Sequence, residues 1–143
     1  RVTRKAGTIA AYVWDYAGKM ELMRCFWDAA VDLDPGAAKL DEGVRFPLCR
    51  PEALEKLFAS AGLQDVEVKP IDIATSFANF DDYWQPFLGR QGPAGSYVAS
   101  LTETDRDGLR TRLRRRLLGD GPDRPFTMRA RAWAVRGTVG TSR

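Results

Sequence analysis

Three consecutive residues, Trp14, Asp15 and Tyr16, place side chains that could do chemistry directly after an apolar segment. A carboxylate beside an indole ring could have a shifted pKa, and Asp15 could then act as a general base or orient a hydroxyl group. An aspartate here is also typical of a turn that leads into a helix. On the sequence alone, both interpretations of Asp15 stay open.

A second group of candidate side chains is aromatic. Tyr83, Trp84 and Phe87 could together line an apolar binding site. Aromatic residues at this spacing also pack a short helix onto a protein core, and that arrangement is the more common one. The spacing therefore favours a core role, with a binding role as the alternative.

The chain has no histidine among its 143 residues. Ser-His-Asp triads, Cys-His pairs and His-containing metal sites cannot be built from it alone. The two cysteines, Cys25 and Cys49, are too few and too far apart for a zinc quartet or a Cys-x-x-Cys redox pair. We expect both to be reduced, buried and structural. The chain itself is predicted to supply no catalytic residue and no metal ligand.

Glycine and arginine are each concentrated in one segment. Gly89, Gly92 and Gly95 lack the strand-to-helix context of a phosphate-binding loop, and we interpret that stretch as a simple loop. The arginines are Arg110, Arg112, Arg114, Arg115 and Arg116. A positive face could follow a nucleic-acid backbone, but acidic residues precede these arginines as the helix dipole favours, and no aromatic platform accompanies them. We interpret them as a solvated helix face and expect no nucleic-acid partner.

The composition, 44% hydrophobic and 29% charged, is typical of one modest globular domain. No apolar run approaches the roughly 20 residues that cross a bilayer, because the longest, Ile9 to Trp14, ends at Asp15. We therefore expect a cytoplasmic protein with no membrane partner. Arg1 to Gly7 contains no Met and no signal peptide, and it enters an apolar segment at once. This predicts the later part of a longer protein.

The elements that would position the candidate residues alternate between strand and helix. Thr8 to Trp14 is apolar on both faces, which predicts an interior strand covered by helices on both sides. Helical spacing from Gly18 predicts a helix ending near Asp34, and Pro51 to Ala61 is a second predicted helix. Val66 to Ile73 is predicted as an edge strand, since its Pro70 cannot donate a ladder hydrogen bond. The later predicted elements are a short helix over Asn79 to Leu88, a helix opened by Thr102, a strand over Phe126 to Arg136 and a flexible tail over Gly137 to Arg143.

Two segments resemble the C-terminal half of class I S-adenosylmethionine-dependent methyltransferases, especially bacterial enzymes of the small-molecule and ubiquinone-biosynthesis type. Arg1 to Thr8 is similar to the family's Arg-Val-Leu-Arg-Pro-Gly-Gly turn before its fifth strand, with Lys5 and Ala6 in place of Pro and the first Gly. Arg45 to Leu48, Pro51 to Leu54 and the residues up to Val68 are similar to the helix that precedes the family's sixth strand.

The resemblance implies an α/β fold. The chain would be the C-terminal flank of a Rossmann-like methyltransferase sheet, a three-stranded mixed sheet with helices and a helical lid insertion. Phe126 to Arg136 would be the seventh strand, inserted antiparallel between Thr8 to Trp14 and Val66 to Ile73. The lid would come from Met20 to Arg45 and Ser76 to Gly95.

The resemblance also implies a function: in-line transfer of a methyl group to a small molecule held in a water-poor pocket. S-adenosylmethionine would bind the complete enzyme on a Gly-rich turn and an acidic ribose ligand. The chain lacks both, and we do not expect it to bind this cofactor alone. The expected substrate-binding residues are Trp14, Asp15, Tyr16, Phe46, Tyr83, Trp84 and Phe87.

An alternative function belongs to a different class. The chain could be a non-catalytic, methyltransferase-derived module whose apolar sheet face is covered by a second copy or by another protein. Under the enzymatic interpretation, the missing N-terminal half would cover that face instead.

Overall fold

The computed structural model describes residues 3–140. Its strands are β1 (Thr8–Trp14), β2 (Leu63–Phe77) and β3 (Phe126–Val139), and they form one sheet in the order β1-β3-β2. β3 pairs antiparallel with both neighbours, so β1 and β2 run in the same direction without pairing with each other. The predicted insertion of the last strand between the other two is confirmed. The sheet is antiparallel throughout these residues, whereas we expected a mixed one.

Helices pack on both faces of this sheet. The α-helices are α1 (Glu21–Leu33), α2 (Glu42–Arg45), α3 (Pro51–Ser60), α4 (Phe80–Trp84), α5 (Gly92–Ser100) and α6 (Glu103–Leu118), and 3-10 helices span Pro35–Leu40 and Gln85–Gly89. On one face, Leu54 and Phe58 of α3 pack with Val135 of β3. On the other face, residues of α1, α4, α5 and α6 form the main core with Met128 and Ala130 of β3.

The long helices follow from local sequence as predicted. Met23, Phe26, Trp27 and Ala30 recur at helical spacing, and all four are buried on α1. The Thr102 hydroxyl accepts a hydrogen bond from the Asp105 backbone N–H at 3.1 Å and caps the start of α6.

The prediction of a loop at the glycine-rich stretch is wrong, because Gly92–Ser100 forms α5. Pro93 stands in the first turn of this helix, where its missing N–H costs nothing. Ala94, Tyr97 and Val98 then share one buried face. Burial of that face outweighs the poor helix propensity of glycine.

β1 has the predicted bounds, but it is not covered on both faces. Thr8 to Tyr12 are exposed, and the Tyr12 side chain is 72% exposed. In the part of the chain that the structure describes, β1 pairs only with β3, so its other edge is free. The helical layer reaches only the Trp14 end of the strand, where Trp14 packs against the main core.

The uncovered part of the sheet forms a shallow depression of about 550 Å³. We call it the open sheet face and define it by Ala10, Tyr12, Ile71 and Ala134. Register places these four residues on the same side of the sheet, since Tyr12 and Lys69 both lie opposite Ala134. The open sheet face is therefore apolar at its centre.

The other two strands are longer than predicted. β2 runs from Leu63 to Phe77 and lies at an edge, as expected. β3 does not end at Gly137 but runs to Val139, and Gly137 pairs with Ile9. A Cβ at Gly137 would lie 2.9 Å from the Leu63 Cβ, so glycine permits this close approach rather than ending the strand. Of the predicted tail, residues 141–143 lie outside the described residues.

No helix within residues 3–140 is both long enough and apolar enough to cross a lipid bilayer.

Candidate functional site

A cavity of about 430 Å³ opens beside the carboxyl end of β1. It is lined by Trp14, Tyr16, Met20, Leu22, Met23, Glu42, Thr75, Phe77, Tyr83, Pro86, Phe87, Gln91 and Ala94. Four of the seven predicted substrate-binding residues, Trp14, Tyr16, Tyr83 and Phe87, thus come together at one place. The volume lies within the range of small-molecule sites.

Tyr83 is both a core residue and a wall of this cavity. Its hydroxyl donates a hydrogen bond to the Leu22 carbonyl oxygen at 2.8 Å. Its ring meets Phe77 edge to face, with centroids 5.4 Å apart, and Phe87 at 5.3 Å. Burial raises the pKa of the Tyr83 phenol, which stays protonated and keeps its hydrogen bond. The core interpretation therefore applies to Tyr83, and its place on the cavity wall leaves a binding role as a prediction.

Trp84 and Phe46 do not line the cavity. Trp84 is buried on α4, where it stacks on Phe80 with ring centroids 6.5 Å apart. Its geometry matches the core interpretation. The exposed Phe46 ring lies 5.8 Å from the Tyr16 ring and lines a separate surface depression with Tyr97.

Asp15 is buried in the turn after β1 and does not line the cavity. Its carboxylate accepts a hydrogen bond from the Lys19 backbone N–H at 2.7 Å. Its own backbone N–H donates to the Arg131 carbonyl, and its carbonyl accepts from Gly18 and Met20. This geometry matches the turn interpretation of Asp15, and a role as general base stays an untested prediction.

Gly18→Ala is expected to lower the free energy of unfolding by about 1–2 kcal/mol, because the new methyl group displaces a hydrogen-bonded carboxylate. A Cβ at Gly18 would lie 2.8 Å from Oδ1 of Asp15. Urea denaturation measures the loss. The control is Gly89→Ala, where a Cβ would meet nothing within 4 Å. If Asp15 is the cause, Gly18→Ala should cost little in an Asp15→Ala background, and a full cost there would contradict this explanation.

Glu42 is a wall residue of the cavity that the sequence analysis missed. It is only 4% exposed, and the indole N–H of Trp27 donates a hydrogen bond to its carboxylate. The neighbouring Asp41 holds α2 in place: its carboxylate accepts from the Gly43 backbone N–H at 2.7 Å and pairs with Arg24 at 2.6 Å. The sequence signal was weak, because two adjacent acidic residues are typical of an exposed loop.

Burial controls the electrostatics of this wall. It raises the pKa of Glu42, against the opposing effects of the residue's own backbone N–H and of the Trp27 hydrogen bond. Burial and the nearby Glu42 carboxylate also raise the pKa of Tyr16. Glu42 therefore takes up a proton more readily than an exposed glutamate, and the Tyr16 phenol stays neutral.

Glu42→Gln is expected to raise the free energy of unfolding at pH 7 relative to the wild type. The folded chain binds a proton at Glu42 more tightly than the unfolded chain, so the stability associated with this group is complete below about pH 4.3 and falls as the pH rises. Gln keeps an oxygen for the Trp27 N–H and carries no charge. The gain measured by urea denaturation should therefore grow from pH 4 to pH 7.

Glu55→Gln, at an exposed position on α3, is the matched control and should show no such growth. A gain for Glu42→Gln that stays constant across this pH range would contradict the assigned burial of the charge.

Both cysteines are free thiols, as expected, and both are half-buried rather than fully buried. Burial raises the pKa of Cys25 to about 11, and it raises that of Cys49 as well. At neutral pH each side chain is therefore a thiol rather than a nucleophilic thiolate. This supports the structural role.

The arginines of α6 contact acidic residues and carbonyl groups of this chain. Arg110 pairs with Asp81 at 2.7 Å, and Arg116 pairs with Asp32 at 2.5 Å. Arg114 donates to the Gly121 carbonyl at 2.8 Å. These contacts give the segment a role within the fold, in line with a solvated helix face.

Residues 3–140 hold no group of three or more His, Cys, Asp or Glu side chains that could bind a metal ion. No family model matches the chain, and no curated protein matches it significantly. The function must therefore be inferred from the sheet and from the cavity beside β1.

Proposed function

We propose that the chain is the substrate-side, C-terminal part of an S-adenosylmethionine-dependent methyltransferase acting on a small molecule. The observation that carries the proposal is the strand order. β3 runs antiparallel between β1 and β2, which share one direction. The resemblance implies this order, with β1, β3 and β2 as the fifth, seventh and sixth strands of the methyltransferase sheet. A protein of another fold would have no need to insert its last strand between two earlier ones.

The place and lining of the cavity also support the proposal. Open α/β sheets bind ligands at the carboxyl ends of their strands, and the cavity lies at the carboxyl end of β1. Apolar and aromatic side chains make up most of its wall, which suits an acceptor that must be kept from water. In this role, Trp14, Tyr16 and Phe87 would hold and orient the acceptor.

The described residues do not fit the cofactor. A Gly-rich turn after a strand is missing from residues 3–140, and the cavity has only one carboxylate, Glu42, on its wall. We therefore assign the cofactor to residues that would precede this chain. The free edge of β1 and the open sheet face give such a half a place to dock.

Methyl transfer by the full-length protein tests this function. Incubation with S-adenosylmethionine labelled in its methyl group and with a small-molecule extract of host cells should move label into a small molecule. A Phe87→Ala variant, which removes one cavity wall, should transfer label at least about tenfold more slowly. Absence of transfer by a folded wild-type protein, or transfer into protein or nucleic acid alone, would contradict the proposal.

A second candidate function, a module that dimerises or binds another protein, is favoured by one observation. Tyr12, Ile71 and Ile73 expose large side chains on the same side of the sheet, next to the free edge of β1. An exposed apolar face and an unpaired edge promote association. Sedimentation at several concentrations tests it: a folded monomer at all of them would argue against self-association.

A further inference from the structure

The cavity beside β1 has a single charged wall residue, the acidic Glu42, and no Lys or Arg among its described wall residues. Arg24, which influences Glu42 electrostatically, instead forms an ion pair with Asp41. Within residues 3–140 the Glu42 carboxylate makes no ion pair. The cavity therefore presents a net negative group without a matching cation.

Burying a carboxylate that has no cationic partner costs free energy. Glu42 has lost nearly all contact with water, and its hydrogen bond from Trp27 comes from a neutral donor. A neutral donor compensates the lost hydration of a carboxylate only in part. A bound cation would supply the missing charge, while a bound anion would be repelled. The cavity wall therefore favours a cationic ligand over an anionic one.

The rest of the wall suits the body of an organic cation. Aromatic rings come from Trp14, Tyr16, Phe77, Tyr83 and Phe87. Their faces attract cations, and their area accommodates an apolar group. A cavity of about 430 Å³ holds a small organic molecule rather than a peptide.

We propose that this cavity binds a small arylalkyl amine as its ammonium ion, with the ring among the aromatic side chains and the ammonium group at the Glu42 carboxylate. The inference concerns binding alone, because an ammonium nitrogen has no lone pair and cannot itself accept a methyl group. The binding itself requires no cofactor.

Calorimetric titration of the chain with three probes of similar shape tests the binding. The probes are phenethylamine, which is cationic, 2-phenylethanol, which is neutral, and phenylacetate, which is anionic. The amine should bind at least about tenfold more tightly than the alcohol, as expected for a charge-assisted contact, and phenylacetate should bind most weakly. Equal affinity for the amine and the alcohol, or no binding of the amine at 10 mM (an order-of-magnitude ceiling for a small ligand), would overturn the proposal.

Two variants then assign the preference to Glu42. Glu42→Gln should stay folded, since it keeps the bond to Trp27, and should bind amine and alcohol equally. Glu42→Asp keeps the charge and should retain part of the preference. The control Glu55→Gln should behave as the wild type, and an unchanged preference in Glu42→Gln would refute the assignment. Because these titrations contain no S-adenosylmethionine, their failure would leave the methyltransferase proposal standing. A failure of the methyl-transfer assay would likewise leave the proposed amine binding standing.

Discussion

Phe26→Ala is expected to lower the free energy of unfolding by about 3–5 kcal/mol. Phe26 is fully buried on α1, where its ring stacks on Phe87 with centroids 4.5 Å apart and meets Trp27 edge to face at 5.0 Å. Removing the ring leaves a void between α1 and the segment that carries Phe87, and close-packed neighbours fill such a void only in part. Urea denaturation followed by circular dichroism measures the loss.

Leu57→Ala is the control for this substitution, because Leu57 lies on α3 and is 44% exposed. Its cost should stay below about 1 kcal/mol. Similar losses for the two variants would show that the helical layer is not the main core. Because Phe87 is a wall of the cavity, Phe26→Ala should also weaken the proposed binding of an amine there.

Val135→Asp is expected to cost at least about 3 kcal/mol and could prevent folding. Val135 is 1% exposed and packs between β3 and α3 against Leu54 and Phe58. A carboxylate there would have neither water nor a cation as a partner. The chain should show a large loss of stability at pH 7 and a smaller one at acidic pH, where the new carboxyl group can be protonated.

Ala134→Asp is the matched control, since the adjacent residue points to the open sheet face. A charge there stays accessible to water in this chain, so the expected cost is below about 1 kcal/mol. A large cost for Ala134→Asp would contradict the assignment of the open sheet face. If the proposed N-terminal half docks on this face, the same substitution should be costly in the full-length protein.

The parts of the fold that were predicted correctly depend on local patterns. β1, α1, α3 and α6 were recognised from apolar spacing and from Thr102 as a cap, and the structure places them within a few residues of the predicted bounds. α5 was missed because its two glycines and one proline obscure an apolar face of only three residues. The position of β3 between its neighbours came from the family resemblance rather than from any local pattern.

The exposure of β1 shows a second limit of prediction from local sequence patterns. The prediction that Thr8 to Trp14 is covered on both faces is wrong for residues 3–140. An apolar pattern shows only that a strand is suited to burial. It does not say which residues provide the cover. Residues 3–140 cover only the end near Trp14, which leaves Tyr12 exposed.

The candidate site was predictable only for residues whose place follows from the strand or helix next to them in the sequence. Trp14 and Tyr16 follow a strand, so their place at its carboxyl end could be expected. Tyr83 and Phe87 reach the cavity from the core that they share with α1, whereas Trp84 stacks on Phe80 in the same core and does not line the cavity. Glu42 could not be predicted, since its burial depends on Trp27, a partner 15 positions away in the sequence.

The most direct test of the proposed function is calorimetric titration with S-adenosylmethionine of two proteins: this chain, and a longer protein in which the proposed N-terminal half is joined to it. We expect no tight binding by the chain alone and tight binding by the longer protein. Tight binding by the chain alone, or none by the folded longer protein, would contradict the assignment of this chain to the substrate side of a methyltransferase.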